Sequence, residues 1–315
     1  MKRKRHQKQK HTHFCIFVNK QATNYSGRFV RRLTDRIRRS GGYFTLFDPD
    51  TPSGMVVTSQ QASGLRQWQR GTPYNFTRRG KVTALIAVGG DGTFNLVARA
   101  AYKSVLPIGI LPMGRDNNIA KSIMGTDDPG EAIKIIMKRN YQKIDVARVG
   151  KQLFFGSAGL GFIPALTEHL KDRKPPRFSI GWNRLGSKVA DKLHVHKSTI
   201  KIDSFRFDMP VYMININLLP YTAGLELSPA SIADDRKAEL IIDMNNDKKI
   251  FSSYLKKLKN GNYFYGSEIK LFRGQEIILD SVWKSKLYID GELVDVNDES
   301  LEVKLTDYPL KVYSL

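Results

Sequence analysis

The stretch AVGGDGTFNLVARAA, from Ala87 to Ala101, leaves an apolar run, places three glycines around one aspartate and continues with a helical pattern. A turn of this composition leaves backbone N–H groups beside the N-terminus of a helix. Glycine lets the backbone approach a ligand closely, and the N–H groups together with the helix dipole favour an anion. The stretch therefore predicts a buried strand, a phosphate-binding turn and a helix.

Up to about residue 143 the chain alternates between strand and helix patterns. Continuous apolar runs such as VTALIAVGG are typical of central parallel strands, and SGRFVRRLTDRIRRSGG has its apolar residues on one helical face. The alternation predicts a doubly wound α/β domain whose ligands bind beyond the carboxyl ends of the strands. A second glycine turn, LPMGRDNN, follows the next strand. We expect the two turns to face each other across one cleft.

After this region the pattern becomes one of short strands, which predicts a mostly antiparallel β-sandwich or flattened barrel. KIDVARVGKQLFFGSAGLGF resembles a hairpin, and KKIFSSYLKKLKNG predicts a helix. The basic segment 166–193, which includes Phe178 and Trp182, is a lid or a membrane-contacting segment, or else an ordinary solvated helix pair. The predicted domains are a basic flexible tail (1–13), an α/β nucleotide-binding domain (14–143), a β-rich acceptor-binding domain (144–300) and a C-terminal strand (301–315) that can return to the first domain.

The composition indicates a globular protein with a strong positive charge. The chain has 51 Lys and Arg against 30 Asp and Glu, a net charge of +21. Such a surface attracts nucleic acid, anionic lipid headgroups or phosphorylated small molecules. The sequence has no aromatic–basic nucleic-acid motif, which disfavours nucleic acid as a partner. The basic tail is either a solvated segment or an adhesive for such polyanions.

Other features narrow the class of protein. Cys15, the single cysteine, lies in an apolar run and is interpreted as a buried strand residue rather than a nucleophile. The histidine pairs at 11 and 13 and at 194 and 196 lack further ligands at metal-binding spacing, so we interpret them as surface or strand residues. No apolar run is long enough to span a bilayer and no leader pattern is seen. We expect a cytoplasmic protein, associated peripherally with membranes, and the sequence leaves its oligomeric state open.

Three motifs together resemble the diacylglycerol kinase catalytic family, which includes bacterial lipid kinases and sphingosine and ceramide kinases. They are VGGDGTFN, ILPMGRDNNIAKSI and YIDGELV, in this order. GGDGT alone is shared with NAD kinases. The likeness runs from about Phe14 to the C-terminus. It implies an α/β domain followed by a β-sandwich, ATP and Mg²⁺ as cofactors, and a lipid hydroxyl at a membrane surface as the phosphoryl acceptor.

The resemblance also implies roles for individual residues. Asp91 would act through Mg²⁺, and Glu292 would be the general base, with Asp290 beside it as a further catalytic residue. A structural Mg²⁺ would be bound by the side chain of Asp235 and the carbonyls of Ile232 and Lys237. The nucleotide would be bound by residues of three loops: Asn19, Gly89, Gly90, Gly92, Thr93, Asn95, Gly114, Arg115 and Asn117. From the residues alone, Thr93 can also cap the helix, and DGE can also be a polar turn.

Several positions depart from the family pattern. The first loop reads NKQAT and lacks the usual proline and nearby glycine, and Leu96 stands where glutamate is common. Arg115 and Asn118 replace a threonine and an aspartate, which makes the predicted cleft more positive. These changes imply an acceptor with extra negative charge, altered nucleotide binding or reduced catalysis. Arg115 either binds a phosphate or points to solvent.

Three functions are consistent with these features. The leading hypothesis is an ATP-dependent kinase of diacylglycerol or a related lipid alcohol. A second is an NAD-kinase-type enzyme that phosphorylates a soluble nucleotide, although the sequence lacks a segment like GSTAY. A third is a catalytically weak protein that binds anionic lipid through its basic surface.

Overall fold

The computed structural model describes residues 12–47, 82–171, 179–243, 269–280, 286–296 and 300–315. The chain forms two compact units. The first comprises Met1–Arg115, Asp128–Tyr141 and Lys311–Leu315, and the second comprises Asp116–Asp127 and Gln142–Leu310. The helix predicted over residues 248–261 and most of the basic tail lie outside the described residues, as do the side chains of Phe178 and Trp182.

Helices and strands are numbered in chain order over the described ranges. The helices are α1 (Gly27–Arg39), α2 (Asp91–Ala101), α3 (Asn118–Met124), α4 (Pro129–Lys138), α5 (Phe162–Leu170) and α6 (Ser179–Ala190). The first ten strands are β1 (His13–Val18), β2 (Tyr43–Phe47), β3 (Ala84–Gly89), β4 (Pro107–Pro112), β5 (Tyr141–Ile144), β6 (Ala147–Val149), β7 (Gln152–Phe154), β8 (Ser157–Gly161), β9 (His196–Ile202) and β10 (Phe205–Val211). The other ten are β11 (Met213–Asn217), β12 (Tyr221–Thr222), β13 (Leu225–Glu226), β14 (Ala238–Asp243), β15 (Ile269–Gly274), β16 (Glu276–Asp280), β17 (Lys286–Ile289), β18 (Glu292–Asp295), β19 (Ser300–Leu305) and β20 (Leu310–Tyr313).

The first unit is built on a sheet with the strand order β2-β1-β3-β4-β20-β5. β3 pairs in parallel with β1 and with β4, and every residue of β3 is buried. This confirms the central parallel strand predicted from its continuous apolar sequence. β1 is also buried throughout, and burial raises the pKa of the Cys15 thiol to about 12. Cys15 is therefore a buried strand residue, as predicted.

The order of the strands determines where this sheet can bind a ligand. The chain runs from β1 outward to β2 on one side, and from β3 outward to β4 on the other. The direction therefore reverses between β1 and β3, and loops that leave the carboxyl ends of such strands diverge and form a crevice. The loops that leave β1 and β3 begin at Asn19 and Gly90. The loop that contains Asn19 and the first glycine turn, both predicted to bind the nucleotide, thus start at this reversal point.

The second unit contains two six-stranded antiparallel sheets, with the orders β10-β9-β16-β19-β6-β7 and β15-β14-β11-β8-β17-β18. The predicted fold class, a doubly wound α/β part with a mostly antiparallel β part, is confirmed. The segment 143–162 differs from the single hairpin expected there. β6 and β7 form a hairpin in one sheet, whereas β8 joins the other sheet beside β11. The chain changes sheets at Gly156, where a Cβ would lie 2.9 Å from Ile119 Cδ1.

The basic segment 166–193 contributes the end of α5 and all of α6. The two helices contact each other, and buried residues such as Leu166, Leu170, Leu185 and Val189 belong to one apolar cluster with Tyr288. The helix-pair interpretation therefore applies to the described part of this segment, although it is packed rather than freely solvated. Within the described ranges, none of the helices combines the length and the apolar character needed to cross a membrane.

Candidate active site

The two glycine turns of the first unit are in direct backbone contact. A Cβ on Gly90 would lie 2.8 Å from Cα of Gly114, a distance that real Cβ atoms do not show. The amide of Met113 donates to the carbonyl of Gly89 at 2.8 Å, which continues the β3–β4 pairing into the turns. The two turns are thus adjacent, but at these glycines their backbones pack directly against each other rather than face each other across a cleft, and glycine is required at position 90 for steric reasons.

The loop after β1 is connected to both turns by side-chain amides. Asn19 donates from Nδ2 to Thr93 Oγ1 at 3.1 Å, and its Oδ1 accepts from the amide of Gln21 at 3.0 Å. Asn24 donates from Nδ2 to the carbonyl of Gly114 at 2.6 Å. The N-cap residue of α2 is Gly90, and Thr93 is the third residue of the helix rather than its N-cap. The hydroxyl of Thr93 joins the first loop to the helix.

The N-terminus of α2 has the features of an anion site. Gly90 is the N-cap residue and, as a glycine, supplies no side-chain cap. Asp91, half-buried, is the first helical residue, and Gly92 faces open space, with no atom within 4 Å of a Cβ placed there. Amides of the first helical turn lack partners within the helix and favour a negative group. Asn95, by contrast, is fully buried and supports the turn from behind.

The second turn is divided between the two units. Gly114 is buried, whereas the side chain of Arg115 is exposed. Its charge is therefore not removed from water. Asn117 is buried and adopts the left-handed conformation (φ 51°), which asparagine tolerates better than most residues. Asn118 accepts a hydrogen bond at Oδ1 from the amide of Gly224 at 2.9 Å. An aspartate could accept the same bond, so Asn118 acts as a local anchor of the second unit.

The DGE motif forms the turn of a two-residue hairpin between β17 and β18, in which Ile289 pairs with Glu292. Asp290 (φ 47°) and Gly291 (φ 98°) both have positive φ, as a type I′ turn requires. The carboxylate of Asp290 is buried and accepts hydrogen bonds from the amides of Phe155, Gly156 and Ser157 at 2.7 to 2.8 Å. Asp290 thereby fixes the place where the chain changes sheets.

Glu292 and Asp290 consequently have different surroundings within the same motif. Glu292 is exposed at the first position of β18, whereas Asp290 is enclosed by backbone amides. An exposed carboxylate can reach a substrate hydroxyl, and an enclosed one cannot. Asp290 is therefore a positioning residue that holds the turn from which Glu292 projects. The polar-turn and catalytic interpretations of DGE are compatible, because they apply to different residues.

The segment predicted to bind a structural Mg²⁺ contains an ion-pair cluster. Asp235 accepts from the guanidinium of Arg273 at Oδ2, and from the amide of Lys237 at Oδ1 (3.1 Å). Arg273 Nε also lies 3.4 Å from Oε1 of the buried Glu239. Ile232 is exposed beside this cluster. Both oxygens of the Asp235 carboxylate are thus already engaged, one of them by a cation.

A second arginine neutralises a second buried carboxylate nearby. Arg236 donates from its amide to Asp145 Oδ2 at 2.7 Å, and its guanidinium lies 3.8 Å from Oδ1. Burial raises the pKa of the Asp145 carboxyl, and Arg236 opposes that shift. Arg236 has φ 62°, a left-handed conformation that is unfavourable for a side chain of this kind. Its contacts with Asp145 and with the carbonyl of Thr306 compensate for that backbone strain.

The two predicted magnesium sites differ in how their carboxylates are engaged. The single guanidinium of Arg273 lies against both Asp235 and Glu239, so a cation bound by the Asp235 carboxylate would have to compete with this ion pair. No group of three or more His, Cys, Asp or Glu side chains within the described residues is arranged for a metal. A nucleotide-bound Mg²⁺ at Asp91 does fit, because such an ion needs only one or two carboxylates besides the phosphates.

Sequence patterns did not reveal several residues that shape these sites: Asn24, Asp145, Gly224, Glu239 and Arg273. Each acts through a partner far along the chain, such as Asn24 with Gly114 and Arg273 with Asp235. No local motif marks such a residue. Only Asn24, in the loop that follows Asn19, lies close enough to a recognised motif to have been considered.

Substituting the turn glycines tests the backbone contact. We expect Gly90→Ala to lower the free energy of unfolding by about 1–3 kcal/mol, because its methyl group overlaps the backbone of Gly114. Gly92→Ala is the matched control, since a Cβ there meets open space. Urea unfolding of both variants gives the comparison. Equal losses would mean that the two turns do not touch.

The ion-pair cluster predicts that the second unit is stable without a bound divalent cation. We expect the Tm of the nucleotide-free protein to be the same in EDTA and in Mg²⁺, because Asp145 and Asp235 are already paired with Arg236 and Arg273. Differential scanning calorimetry measures this. A rise in Tm with Mg²⁺ that disappears in Asp235→Asn would contradict the prediction. A rise that persists in that variant would come from Mg²⁺ bound at another site.

Comparison with known proteins relates these features to a family. The family model described as "Diacylglycerol kinase catalytic domain" matches residues 13–149 of this chain. The chain is 24% identical over 221 residues to "Probable lipid kinase YegS-like" of Chromohalobacter salexigens, covering 68% of this chain and 66% of that protein. It is 29% identical over 185 residues to "Probable lipid kinase YegS" of Escherichia fergusonii, covering 56% and 62%. The match thus spans less than two thirds of either relative.

Solved structures show the same fold at low sequence identity. A diacylglycerol kinase from Bacillus anthracis superposes with a TM-score of 0.69 at 14% identity, over 96% of each chain. An NAD kinase from Archaeoglobus fulgidus, solved with ATP, gives 0.50 at 14% identity, over 96% of this chain and 93% of that one. The resemblance indicated by the three motifs is confirmed as a resemblance: residues 13–149 match the family model of the diacylglycerol kinase catalytic domain.

Proposed function

We propose that this protein is an ATP- and Mg²⁺-dependent lipid kinase, which transfers the γ-phosphoryl group to a hydroxyl of diacylglycerol or a related lipid alcohol. The observation that carries the proposal is the contact between two glycine turns, the first of which leaves the parallel sheet at its reversal point. This first turn leads into the N-terminus of α2, whose N-cap residue is Gly90. The catalytic-domain match to residues 13–149 and the names of the lipid kinase relatives support the same conclusion.

The first unit would bind the nucleotide. Amides at the start of α2 would hold phosphate oxygens, and Gly92 leaves room for them. Asn19 and Asn24 would hold the first loop against the two glycine turns, through their hydrogen bonds to Thr93 and to the carbonyl of Gly114. Asp91 would bind the Mg²⁺ that accompanies ATP, and that ion neutralises charge on the phosphates.

The second unit would supply the base. Phosphoryl transfer needs positioning and charge neutralisation more than covalent chemistry, so one carboxylate can be sufficient. Glu292 would take the proton from the acceptor hydroxyl. The acceptor oxygen would then bond to the γ-phosphorus, while the bond between this phosphorus and the leaving oxygen of ADP breaks. Asp290 would hold Glu292 in place through its three backbone amide contacts. The acceptor would approach from a membrane, with which the positively charged protein associates peripherally.

An NAD-kinase-type activity is the second candidate, because an NAD kinase shares the fold. Incubation with radiolabelled ATP and a mixture of diacylglycerols, monoacylglycerols and NAD separates the two. Label in the organic phase supports the lipid kinase, and label in NADP supports the alternative. Label in neither fraction, with ATP still bound, would support the catalytically weak lipid-binding protein.

Replacing the proposed base tests the mechanism. We expect Glu292→Gln to lower kcat by roughly a hundredfold or more, because it keeps the shape but cannot accept the proton. The dissociation constant for ATP should be unchanged. Asp295→Asn, an equally exposed change on the same strand, is the control and should retain full turnover. Near-normal kcat in Glu292→Gln would exclude it as the base.

The arginine in the second turn is expected to bind a phosphate, either of ATP or of a phosphorylated acceptor. Its planar guanidinium suits phosphate oxygens, and it directly follows the glycine that packs against the first turn. We expect Arg115→Thr to raise the KM for ATP, or to shift acceptor preference toward neutral alcohols. Asn118→Asp should change neither value, since aspartate can accept the Gly224 bond. If the KM for ATP and the ranking of acceptors are unchanged in Arg115→Thr, Arg115 points to solvent and binds no phosphate.

A further inference from the structure

One face of α1 is almost entirely arginine. The helix has six arginines and a single acidic residue, Asp35. Its buried residues are Val30, Leu33, Thr34 and Ile37, and all six arginines are exposed. At about 100° per residue, the arginines cover roughly the half of the helix that lies opposite the buried side. We call these residues the arginine face: Arg28, Arg31, Arg32, Arg36, Arg38 and Arg39.

Helix stability does not account for this face. Positive residues in the last turn interact favourably with the helix dipole, which explains Arg36, Arg38 and Arg39. Arg28 lies in the first turn, where the dipole disfavours a cation. Arg28 and Arg32, and Arg32 and Arg36, are like charges four residues apart, an arrangement that destabilises a helix. The chain therefore retains a set of charges that weakens the isolated helix.

Ion pairs among the described residues do not account for it either. Among the described residues, Arg38 is the member of the face that pairs with a carboxylate, Asp35 at 3.6 Å, and it also lies over the ring of Phe44. The other five guanidinium groups have no carboxylate partner in the described ranges. An array of this length, about 20 Å at 1.5 Å per residue, matches an extended anionic surface better than one small ligand.

We propose that the arginine face binds anionic lipid headgroups at a membrane surface. The inference rests on the proposed lipid kinase function, because such an enzyme must reach its acceptor in a bilayer. Guanidinium groups bind phosphate oxygens in a planar, two-pronged geometry. The exposed half of the helix presents no aromatic side chain, whereas proteins that bind single-stranded nucleic acid combine basic and stacking aromatic residues. Lipid phosphate is therefore favoured over nucleic acid.

The position of α1 gives this contact a consequence for the site. The helix begins at Gly27, directly after the loop in which Asn24 binds the carbonyl of Gly114. The amide of Ser26 also donates to Met113 Sδ at 3.5 Å. A membrane bound to α1 is thus connected, through this short loop, to both glycine turns of the first unit.

Charge-neutral variants of the full-length protein test the proposal. Arg28→Gln, Arg32→Gln and Arg36→Gln are combined, because they form one i, i+4 row. The control combines Lys197→Gln, Lys201→Gln and Arg206→Gln, which removes the same charge from exposed positions on β9 and β10. Sedimentation is measured with vesicles of phosphatidylcholine alone, and with vesicles that also contain phosphatidylglycerol. Far-ultraviolet circular dichroism confirms that both variants are folded.

We expect the arginine variant to lose roughly a hundredfold in partitioning to the anionic vesicles, since each basic residue near such a surface contributes about fivefold. The control should lose much less, and no protein should bind the neutral vesicles. Equal losses in the two variants would reduce the effect to net charge and overturn the proposal. It would also be overturned if the arginine variant lost binding to duplex DNA but not to vesicles.

The binding measurement is independent of catalysis. Binding that depends on the arginine face, with no phosphorylated lipid formed, would leave the surface assignment in place and contradict the proposed function. Lipid phosphorylation in detergent micelles with unchanged vesicle binding would do the reverse. The basic tail is present in every variant, so its contribution cancels from the comparison.

Discussion

The backbone contact between Gly90 and Gly114 is the constraint on which the first unit depends. Parallel pairing of β3 and β4 extends by one hydrogen bond into the turns, and this leaves no space for a side chain between them. Because the turns are held this close, the amides at the start of α2 and the carbonyl that Asn24 binds lie on one short stretch of surface. The phosphate binding that we propose would therefore depend on strand pairing rather than on a flexible glycine loop.

A comparable constraint organises the second unit, but it is carried by a charge. Asp290 accepts three amide hydrogen bonds at the point where the chain leaves one antiparallel sheet for the other. Charge-assisted bonds of this kind are stronger than neutral ones, and burial protects them from water. The same hairpin turn presents Glu292 to solvent. One motif therefore contains a residue that builds the fold and a residue available for chemistry.

The parallel sheet could be predicted from the sequence because its signals are local. VTALIAVGG is apolar at consecutive positions, and the glycines that follow mark the turn. The exchange between sheets at Gly156 could not be predicted, because Asp290, more than a hundred residues later, determines it. The ion pair that Asp235 makes could not be predicted for a related reason. Its partner Arg273 is 38 residues away, and no spacing rule connects the two.

These contacts also show why a net charge of +21 says little about function on its own. Arg236 and Arg273 neutralise buried carboxylates, and their positive charge is largely cancelled within the second unit. The arginines of α1 are exposed, and like charges four residues apart on this helix repel each other. Composition counts both groups equally. Only the fold distinguishes arginines that replace a cation inside the protein from arginines that can attract an anion to it.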